Sequence, residues 1–434
     1  MPDAQQLLLA VNCGSSSIKF KLFALDTLKV LISGSASNVA VSGSRATIKL
    51  VTHADQEHQH KEEEEEGMEY DAVFERIIEQ LEQSSELSQR DRHAIRIVAH
   101  RVVHGGAQTE PVVIYKGHEE GLEMLDKLSE FAPLHNHRAV TTVHSCLQHL
   151  PNSKQVLLFD TLFHSTIPPH IYTYPLEPPK EEPAIPLRKY GMHGLSYASI
   201  LHDVAAFLQK PESECNLVVA HLGSGASVCM IRNGKSVDTS MGVSPLEGLP
   251  GGTRSGSVDP VLIFHHTPNA GALVEQGGGK VTKAELVMNK QGGLQALAGT
   301  SDFGQILARL DKSPPDEKAE LAYGVFADRV LNFVGSYTLK LLGAPKASDA
   351  RMDALVFSGG IGERGARLRK DVGGYLRAFG GEVDDARNES KASESGSVKK
   401  ISSEKSKIGI LVCETDEETQ CAKMAKDWMA RHSE

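Results

Sequence analysis

Two stretches far apart in the chain share one pattern of hydrophobic and polar positions. In each, an apolar run leads into a turn of small residues, and a second run leaves the turn. The first apolar run is residues 7–11, followed by an alternating run at 18–25. The second is residues 217–220, which precedes the turn 223–227. Apolar runs and period-two alternation are typical of strands, so each stretch predicts a strand, a tight turn and a second strand.

Turns of this composition offer backbone N–H groups and hydroxyls with no bulky side chain in the way, which suits a phosphate. One such turn is equally typical of an ordinary hairpin. Two of them predict a duplicated architecture, in which two related domains face each other and both turns reach one polyphosphate. Small-molecule sites prefer clefts between domains.

The remaining pattern predicts strands that alternate with helices. Apolar positions at helical spacing predict helices at 70–81, 119–131, 137–150, 195–208, 316–342 and 419–431. Short apolar runs predict strands at 95–103, 156–159, 354–357 and 408–412. This alternation indicates the α/β class, and a chain of 434 residues favours two domains over one.

Three segments are predicted to be irregular. Residues 53–69 include five consecutive glutamates and predict a solvated loop. Residues 383–407 are rich in Ser, Lys and Glu and predict a mobile insertion. Pro133 predicts a break between two helices, which leaves residues 132–136 in a loop.

The bulk composition narrows the function classes. Lys plus Arg total 46 and Asp plus Glu total 56, so the formal charge is −10. This balance argues against a nucleic acid or an anionic membrane as partner, and any anion site must be a local basic pocket. The six cysteines form no Cys-x-x-Cys pair and indicate reduced thiols. Without a signal-peptide pattern or a long apolar run, we expect a cytoplasmic protein.

Four side chains stand where ligands commonly bind. Arg101 leaves a strand toward a glycine pair, and Asp160 directly follows a buried strand. His193 lies between glycines before a helix, and Arg254 lies among five glycines in the loop 241–256. Strand ends of open α/β sheets and long loops are frequent ligand sites, and a guanidinium clamps oxyanions. Spacing alone leaves structural alternatives: a surface or solvated arginine, a helix cap, and a capping or core histidine.

The last part of the chain adds a possible nucleotide element. The strand at 354–357 runs into Ser-Gly-Gly-Ile-Gly-Glu-Arg and a helix, and glycines at such a turn let a nucleotide approach the backbone. The spacing matches neither the dinucleotide fingerprint nor the P-loop. Asp416 and Glu417 begin the final helix, where acidic residues also serve as simple caps.

Taken together and in this order, these motifs resemble those of the acetate kinase family, which belongs to the superfamily of acetate and sugar kinases, heat-shock chaperones and actin. The resemblance covers nearly the whole chain. It rests on residues 12–19, 100–106, 133–136, 159–161, 190–194, 221–227, 241–256, 358–363 and 415–418.

The resemblance implies two duplicated ribonuclease-H-like domains of the actin-like ATPase type, with the active site in the cleft between them. The first domain would comprise residues 1–160 closed by the C-terminal helix 418–434. The second, residues 161–417, would bind the nucleotide and form most of a homodimer interface. The implied reaction is reversible phosphoryl transfer between ATP and acetate, which gives ADP and acetyl phosphate with Mg²⁺ as cofactor.

The resemblance also implies roles for single residues. As catalytic and metal-binding residues it implies Arg101, Asp160, His193, Arg254, Asn12 and Glu417. The two arginines and the histidine would hold the carboxylate and the transferring phosphoryl group. Asp160 would be the essential acid near the metal, and Asn12 and Glu417 would complete the Mg²⁺ environment. Such a site suits phosphoryl transfer, where positioning and charge stabilisation dominate.

Two binding pockets are implied as well. The acetate pocket would be formed by Arg101, Val103, Leu134, Met192 and Pro245. The ATP pocket would be formed by Ser15, Ser17, Lys19, His221, Ser224, Gly225, Asp302, Gly360, Ile361 and Arg364.

Four positions depart from the family pattern. Met192 replaces an aromatic residue beside the acyl pocket, and Ser224, Gly304 and Arg364 replace Asn, Arg and Asn on the nucleotide side. Gly360 and Ile361 still favour ATP over pyrophosphate as donor. Two rival functions stay open at this point. One is a kinase for propionate, because one methylene is worth only about 1–3 kcal/mol of discrimination. The other is an actin- or chaperone-like ATPase without an acyl acceptor.

Overall fold

The structure, a computed structural model, describes residues 6–14, 17–40, 44–54, 57–66, 69–84, 92–128, 133–181, 183, 185–276, 279–344, 350–390 and 396–432. Ser15, predicted to bind ATP, lies outside them. The strands are β1 (Leu7–Cys13), β2 (Ser17–Ala24), β3 (Val30–Ser37), β4 (Arg45–Ala54), β5 (Glu57–Glu66), β6 (Ile95–Val102), β7 (Val112–Ile114), β8 (Lys154–Phe159), β9 (Leu217–Leu222), β10 (Ala226–Arg232), β11 (Lys235–Thr239), β12 (Leu273–Gln276), β13 (Gly279–Thr282), β14 (Ala354–Ser358), β15 (Val398–Lys400) and β16 (Gly409–Cys413).

Helices separate most of these strands, as predicted. They are α1 (Tyr70–Gln83), α2 (Glu120–Leu128), α3 (Pro133–His149), α4 (Pro169–Tyr172), α5 (Gly194–Leu208), α6 (Pro260–His266), α7 (Lys283–Lys290), α8 (Gly293–Ala298), α9 (Phe303–Leu310), α10 (Glu317–Leu342), α11 (Gly359–Arg364), α12 (Ala366–Gly374), α13 (Asp385–Glu389) and α14 (Glu417–Arg431). None of them, within the described residues, is long and apolar enough to cross a membrane.

Two large sheets organise the described chain, and six strands follow the same order in both. The first has the order β5-β4-β3-β2-β1-β6-β8-β7 and the second has the order β11-β10-β9-β14-β16-β15. In each sheet, three antiparallel strands (β3-β2-β1 or β11-β10-β9) are followed by two parallel strands, β6 and β8 or β14 and β16. In the first sheet only, β4 and β5 add two further antiparallel strands. The repeated order confirms the predicted duplication of α/β units.

Helices cover the faces of both sheets. On one face of the first sheet, α1 packs through side chains such as Phe74 and Ile77. On its other face, α14 and the start of α5 pack against β1 and β6. Further along, α5 packs against the second sheet through Ile200 and Val204, while α10 covers the opposite face. The helix α5 therefore contacts both sheets, and its first turn lies where their strand ends face each other.

The charged segment 53–69 is not a loop, and that prediction is wrong. Residues 57–66 form the edge strand β5, which pairs antiparallel with β4. Glu63 on this strand accepts hydrogen bonds from Arg76 and Gln80 of α1, at 3.1 and 2.7 Å. Charged side chains suit an edge strand because they discourage pairing with another chain. The prediction weighed the charge of the segment and omitted the backbone partner that β4 provides.

Two other segments predicted to be irregular contain regular structure. Within 383–407, residues 385–389 form α13, and β15 pairs with β16; residues 391–395 lie outside the described chain. Pro133 begins α3, so residues 133–136 are helical and that part of the predicted loop is wrong; residues 129–132 lie outside the described chain. Proline is tolerated at the first helical position, because an N–H there lacks an intrahelical partner in any case. Asn136 is therefore in the first turn of a helix, where it is buried and bonds to the backbone of His104.

Buried histidines should make the fold sensitive to acid. Burial lowers the pKa of His100 and of His164 from 6.5 to about 4. Between pH 6.5 and 4 the unfolded chain therefore binds protons that the folded protein does not. The free energy of unfolding should fall as the pH falls through this window, by up to about 3 kcal/mol for each ring. Urea unfolding at a series of pH values measures this slope.

The variant His100→Gln provides the matched comparison, since it removes one titrating ring but leaves a polar side chain near Gln155. Its pH slope between 6.5 and 4 should be smaller than that of the wild type. An equal slope would show that His100 is protonated in the folded protein as easily as in the unfolded chain.

Candidate active site

A buried ion pair lies at the carboxyl edge of the first sheet. Arg101 is near the end of β6, and the parallel register places it beside Asn12 of β1 and close to the end of β8, which Asp160 follows. Its Nη2 donates to Asp160 Oδ2 at 2.8 Å and its Nε donates to Asp160 Oδ1 at 3.2 Å. The Asp160 side chain is fully buried. A bidentate pair of this kind fixes the plane of the guanidinium.

A second carboxylate reaches the same arginine from the other end of the chain. Glu417 begins α14, and its Oε2 accepts from Arg101 Nη1 at 2.6 Å and from Asn12 Nδ2 at 2.7 Å. Its other oxygen accepts from Ser196 of α5. Asn12 also donates to Glu418 Oε1 at 3.0 Å. Three segments that are remote in sequence are therefore joined at one cation.

The shared arginine influences the ionisation of both carboxylates. Burial raises the pKa of Asp160, and Arg101 opposes only part of that effect. Burial also disfavours the charged form of Glu417, but Arg101 and Ser196 outweigh it and hold the pKa of Glu417 below its ordinary value. Burial alone would lower the pKa of Arg101, whereas the two acids raise it above its ordinary value. Arg101 and Glu417 are therefore charged at neutral pH.

The same oxygen atoms suit a magnesium ion. In the part of the chain that the structure describes, no group of three or more His, Cys, Asp or Glu side chains could hold a metal ion alone. Mg²⁺ usually takes one or two protein carboxylates together with waters and substrate phosphates. The carboxylates of Asp160 and Glu417, with the amide of Asn12 beside them, fit that requirement once a polyphosphate is present.

His193 is the residue before α5, and its backbone φ of 62° lies in the left-handed region. Its Nδ1 lies 2.8 Å from Ser227 Oγ, and its ring lies 4.8 Å from that of His221. Burial lowers the pKa of His193 well below 6.5, and the nearby His221, Arg101 and Arg254 lower it further. The imidazole is therefore neutral at pH 7 and has one N–H to donate.

Arg254 lies in the long loop predicted at 241–256, which contains no helix or strand. On one side, the Gly252 N–H donates to the Ser224 carbonyl in the second glycine turn, at 2.9 Å. On the other side, the Ser255 N–H donates to the Met288 carbonyl at the end of α7, at 2.8 Å. These two hydrogen bonds hold the loop beside the turn 223–227. Burial lowers the pKa of Arg254.

Gly225 lies between Arg254 and His193. A Cβ at this position would lie 3.3 Å from Arg254 Nη1 and 3.4 Å from His193 Nε2. Both contacts would be tight, so the absence of a side chain leaves room between the guanidinium and the imidazole. This space faces Arg101 and Asp160 across the cleft, because all five residues line one cavity.

Of the two cavities that meet at these residues, the smaller has a volume of about 440 Å³ and a mixed lining. Its basic side chains include Arg101, Arg254 and Lys290, and its apolar wall is formed by Val103, Met192 and Pro245. Met192 is 1% exposed, and its carbonyl lies 3.0 Å from His164 Nε2. The cavity therefore combines anion-binding groups with a short apolar wall.

The larger cavity has a volume of about 970 Å³ and is lined by glycine-rich backbone. It includes His221 with the turn 223–225, and Gly360 and Ile361 at the start of α11. Arg364 also lines this cavity, and its Nε donates to the Gly360 carbonyl at 3.1 Å. Asp302 also lines the cavity and caps α9 by accepting from two backbone N–H groups. The two cavities share Arg101, His193, Ser224, Gly225 and Ser301.

Most predicted site residues come together at these cavities. Those in the lining are Ser17, Lys19, Arg101, Val103, Asp160, Met192, His193, His221, Ser224, Gly225, Pro245, Arg254, Asp302, Gly360, Ile361, Arg364 and Glu417. Asn12 joins them through its hydrogen bonds to Arg101 and Glu417. Leu134 is in the first turn of α3, and its side chain lies outside the described atoms.

Sequence reasoning missed several residues of the site. Asn289 and Lys290, at the end of α7, line the smaller cavity, and Glu363 and Glu418 line the larger one. The pattern around α7 is an ordinary helical one and gives no indication of a ligand. Glu363 and Glu418 lie inside the motif segments 358–363 and 415–418, so those segments were the available indication.

The fold and the cleft define a kinase built on two actin-like α/β units, in which glycine turns and arginines face each other. Its chain belongs to the Acetokinase family, whose model matches residues 7–423. The resemblance inferred from the motifs is therefore confirmed.

Several proteins are similar to this chain over nearly its full length. A probable acetate kinase of Cryptococcus neoformans var. neoformans serotype D is 50% identical over 433 residues, which cover 98% of this chain and 99% of that protein. The solved structure of a propionate kinase from Francisella tularensis has a TM-score of 0.79 and 34% identity, and covers 97% of this chain and 99% of its own. The acetate kinase of Porphyromonas gingivalis has a TM-score of 0.78 and 30% identity, with the same coverage.

Proposed function

We propose that this protein transfers a phosphoryl group reversibly and directly between ATP and acetate, giving ADP and acetyl phosphate, with Mg²⁺ bound. The observation that best supports this reaction is the junction of the two cavities. The smaller one suits a short acid, because an apolar wall stands near arginines, and the larger one suits a nucleotide. At the junction, Arg101, His193 and Gly225 line both, so a phosphoryl group crossing there meets groups from both domains.

The acid would bind with its carboxylate toward Arg101 and its methyl group against Val103, Met192 and Pro245, which share one cavity. A carboxylic acid of this kind is ionised at neutral pH. Its oxygen can therefore attack the terminal phosphorus in line without a general base. The protein then needs to position the reactants and stabilise charge, which is the usual requirement in phosphoryl transfer.

The groups that would stabilise the transferring phosphoryl are held before the substrate binds. Arg101 is fixed by Asp160 and Glu417, and the loop of Arg254 is braced by backbone hydrogen bonds. The neutral His193 contributes one N–H. Donors that are already oriented need no reorganisation during the reaction, and electrostatic stabilisation of this kind commonly lowers the barrier more than any other effect.

Magnesium would be held by Asp160, Glu417 and Asn12 together with the phosphates, and would supply charge neutralisation on the phosphate oxygens. Ser196 and Arg101 orient the carboxylate of Glu417 through their hydrogen bonds. The nucleotide base and sugar would lie against Gly360 and Ile361, opposite Lys19, since all three line the larger cavity. That arrangement favours ATP over pyrophosphate.

Propionate is the second candidate acid. The similar structure from Francisella tularensis is named a propionate kinase, and Met192, a flexible side chain, forms part of the apolar wall. An extra methylene changes binding by only about 1–3 kcal/mol. If the protein were instead an ATPase without an acyl acceptor, the smaller cavity and Arg254 would have no function.

Acyl-phosphate formation tests the proposal directly. The purified protein is supplied with Mg-ATP and either acetate, propionate or butyrate, and the product is trapped with hydroxylamine. We expect product with acetate, less with longer acids, and none with pyrophosphate as donor. Product that forms only with pyrophosphate would refute the nucleotide assignment, and ATP hydrolysis that is independent of any acid would refute the reaction.

Replacing Arg254 by alanine should lower kcat by about 10²- to 10³-fold, because it removes a donor aimed at charge in the transition state. Steady-state assays in the acyl-phosphate direction measure this. The matched control is Arg329→Ala, which removes an exposed arginine paired with Asp328 on α10. Near-normal turnover of the Arg254 variant would exclude this residue from the mechanism.

The proposal includes a homodimer and a division of the chain. Three large side chains of α6, Val261, Leu262 and Phe264, are 57, 53 and 71% exposed, which supports a contact with a second copy of residues 161–417. The packing of α14 against the first sheet supports grouping residues 418–434 with 1–160. The six unpaired cysteines support a cytoplasmic location, where thiols stay reduced.

Replacing Phe264 by aspartate should convert the dimer to a monomer, because it places a charge in an apolar contact. Sedimentation velocity of the wild type and the variant measures the mass. Phe379→Asp is the control, since Phe379 is also exposed, at 44%, but lies on a different segment. A wild-type monomer would refute the homodimer, and a dimeric Phe264 variant would place the interface elsewhere.

A further inference from the structure

Behind His193, on the side away from the cleft, lies a row of hydrogen-bonding groups. The hydroxyl of Tyr197, one turn into α5, lies 2.5 Å from Ser227 Oγ. Ser227 Oγ in turn lies 2.8 Å from His193 Nδ1. Both hydroxyl-bearing residues are fully buried, at 0% exposure. The row therefore joins three side chains away from solvent.

The direction of the two hydrogen bonds follows from counting donors. Among the hydrogen bonds found between described residues, Ser227 Oγ is the only partner of the Tyr197 hydroxyl. If Ser227 donated to Tyr197, the phenolic O–H would be buried without an acceptor, which is costly. The phenol therefore donates to Ser227. If Nδ1 carried a proton, Ser227 would accept two hydrogen bonds and its own O–H would be buried without an acceptor. Ser227 therefore donates to His193 Nδ1.

We infer that Tyr197 and Ser227 are positioning residues that hold His193 as the neutral tautomer with its proton on Nε2. The catalytic use of this tautomer rests on the proposed function, whereas the tautomer itself follows from the hydrogen bonds alone.

The position of Nε2 explains why the tautomer matters. This atom faces the space above Gly225, where a Cβ would lie 3.4 Å from it and 3.3 Å from Arg254 Nη1. With its proton on Nε2, His193 donates to an oxygen of a phosphoryl group in that space. With its proton on Nδ1, it would direct a lone pair at the same anion. We expect the rings of His193 and His221, which contact each other, to be neutral at neutral pH. Burial lowers the pKa of His221 to about 4 and that of His193 well below 6.5.

Nitrogen NMR on the full-length protein tests the tautomer without reference to activity. The protein is labelled with ¹⁵N-histidine, and the His193 signals are identified as those missing in His193→Gln. At pH 7 we expect a protonated Nε2 and an unprotonated Nδ1. In Ser227→Ala, Nδ1 loses the O–H that donates to it, so the tautomer ratio should shift toward Nδ1–H by up to about tenfold. Ser227→Thr, which keeps a hydroxyl, should retain the wild-type tautomer. A wild-type His193 protonated on Nδ1, or a Ser227→Ala variant with an unchanged ratio, would overturn the inference.

Kinetic measurements distinguish a positioning role of Tyr197 from a role in packing alone. Tyr197→Phe should lower kcat by about tenfold with little change in the KM for the acid, because the lost interaction acts on the transition state. In a His193→Ala background the same change should have almost no further effect, since residues that act as one unit are not additive. An equal loss in both backgrounds would mean that Tyr197 acts only through packing. Tyr323→Phe, which removes a hydroxyl bonded to Asp371, is the control and should behave as wild type.

The tautomer and the reaction can fail separately. If the NMR result is as expected but no acid yields an acyl phosphate, the tautomer assignment stands and the proposed reaction is wrong. If acetyl phosphate forms but His193 is protonated on Nδ1, the reaction stands and the positioning role of Tyr197 and Ser227 is wrong.

Discussion

The burial of the Arg101 charge is the constraint on which the rest of the site depends. A guanidinium stays charged at any physiological pH, so withdrawing it from water requires carboxylates nearby. The first, Asp160, follows the neighbouring parallel strand. The second, Glu417, comes from the last helix, so the chain must return to the first sheet to complete the pair. Buried ion pairs add little net stability, so this pair is weak evidence that Arg101 is there to stabilise the fold.

Duplication provides two similar sheets, and the site uses them differently. The first contributes charge at the ends of β1, β6 and β8, while the second contributes glycine-rich backbone after β9 and β14. The helix α5 connects these roles. Its start places His193 beside the turn 223–227 and Ser196 beside Glu417, so one short segment contacts both the charged half and the glycine-rich half of the cleft. A donor and an acceptor bound in the two cavities would therefore meet at this helix.

Three of the residues that depart from the family pattern make defined hydrogen bonds in the structure. Met192 is held by its backbone, because its carbonyl lies within hydrogen-bonding distance of His164, whose other ring nitrogen lies 2.7 Å from Ser236 Oγ. The Gly304 N–H donates to the Asp302 carboxylate at 2.8 Å, so the acid predicted to bind the nucleotide also serves as the cap of α9. Arg364 bonds to the Gly360 carbonyl and borders the larger cavity. All three residues line one of the two cavities.

What the sequence alone determined is local. Turn composition, helical spacing and charge at strand ends predicted the α/β class and the duplication, and marked Arg101, Asp160, His193 and Arg254 as candidates, since each pattern is local in the chain. Only the family resemblance implied that these four residues share one site. The tertiary structure decided the rest. It paired the charged strand β5 with β4, joined Asn12 to Glu417 across 405 positions, aligned the hydroxyls of Tyr197 and Ser227 behind His193, and brought Lys290 into the cavity lining. Those contacts depend on distances between remote segments, and spacing along the chain contains no measure of such distances.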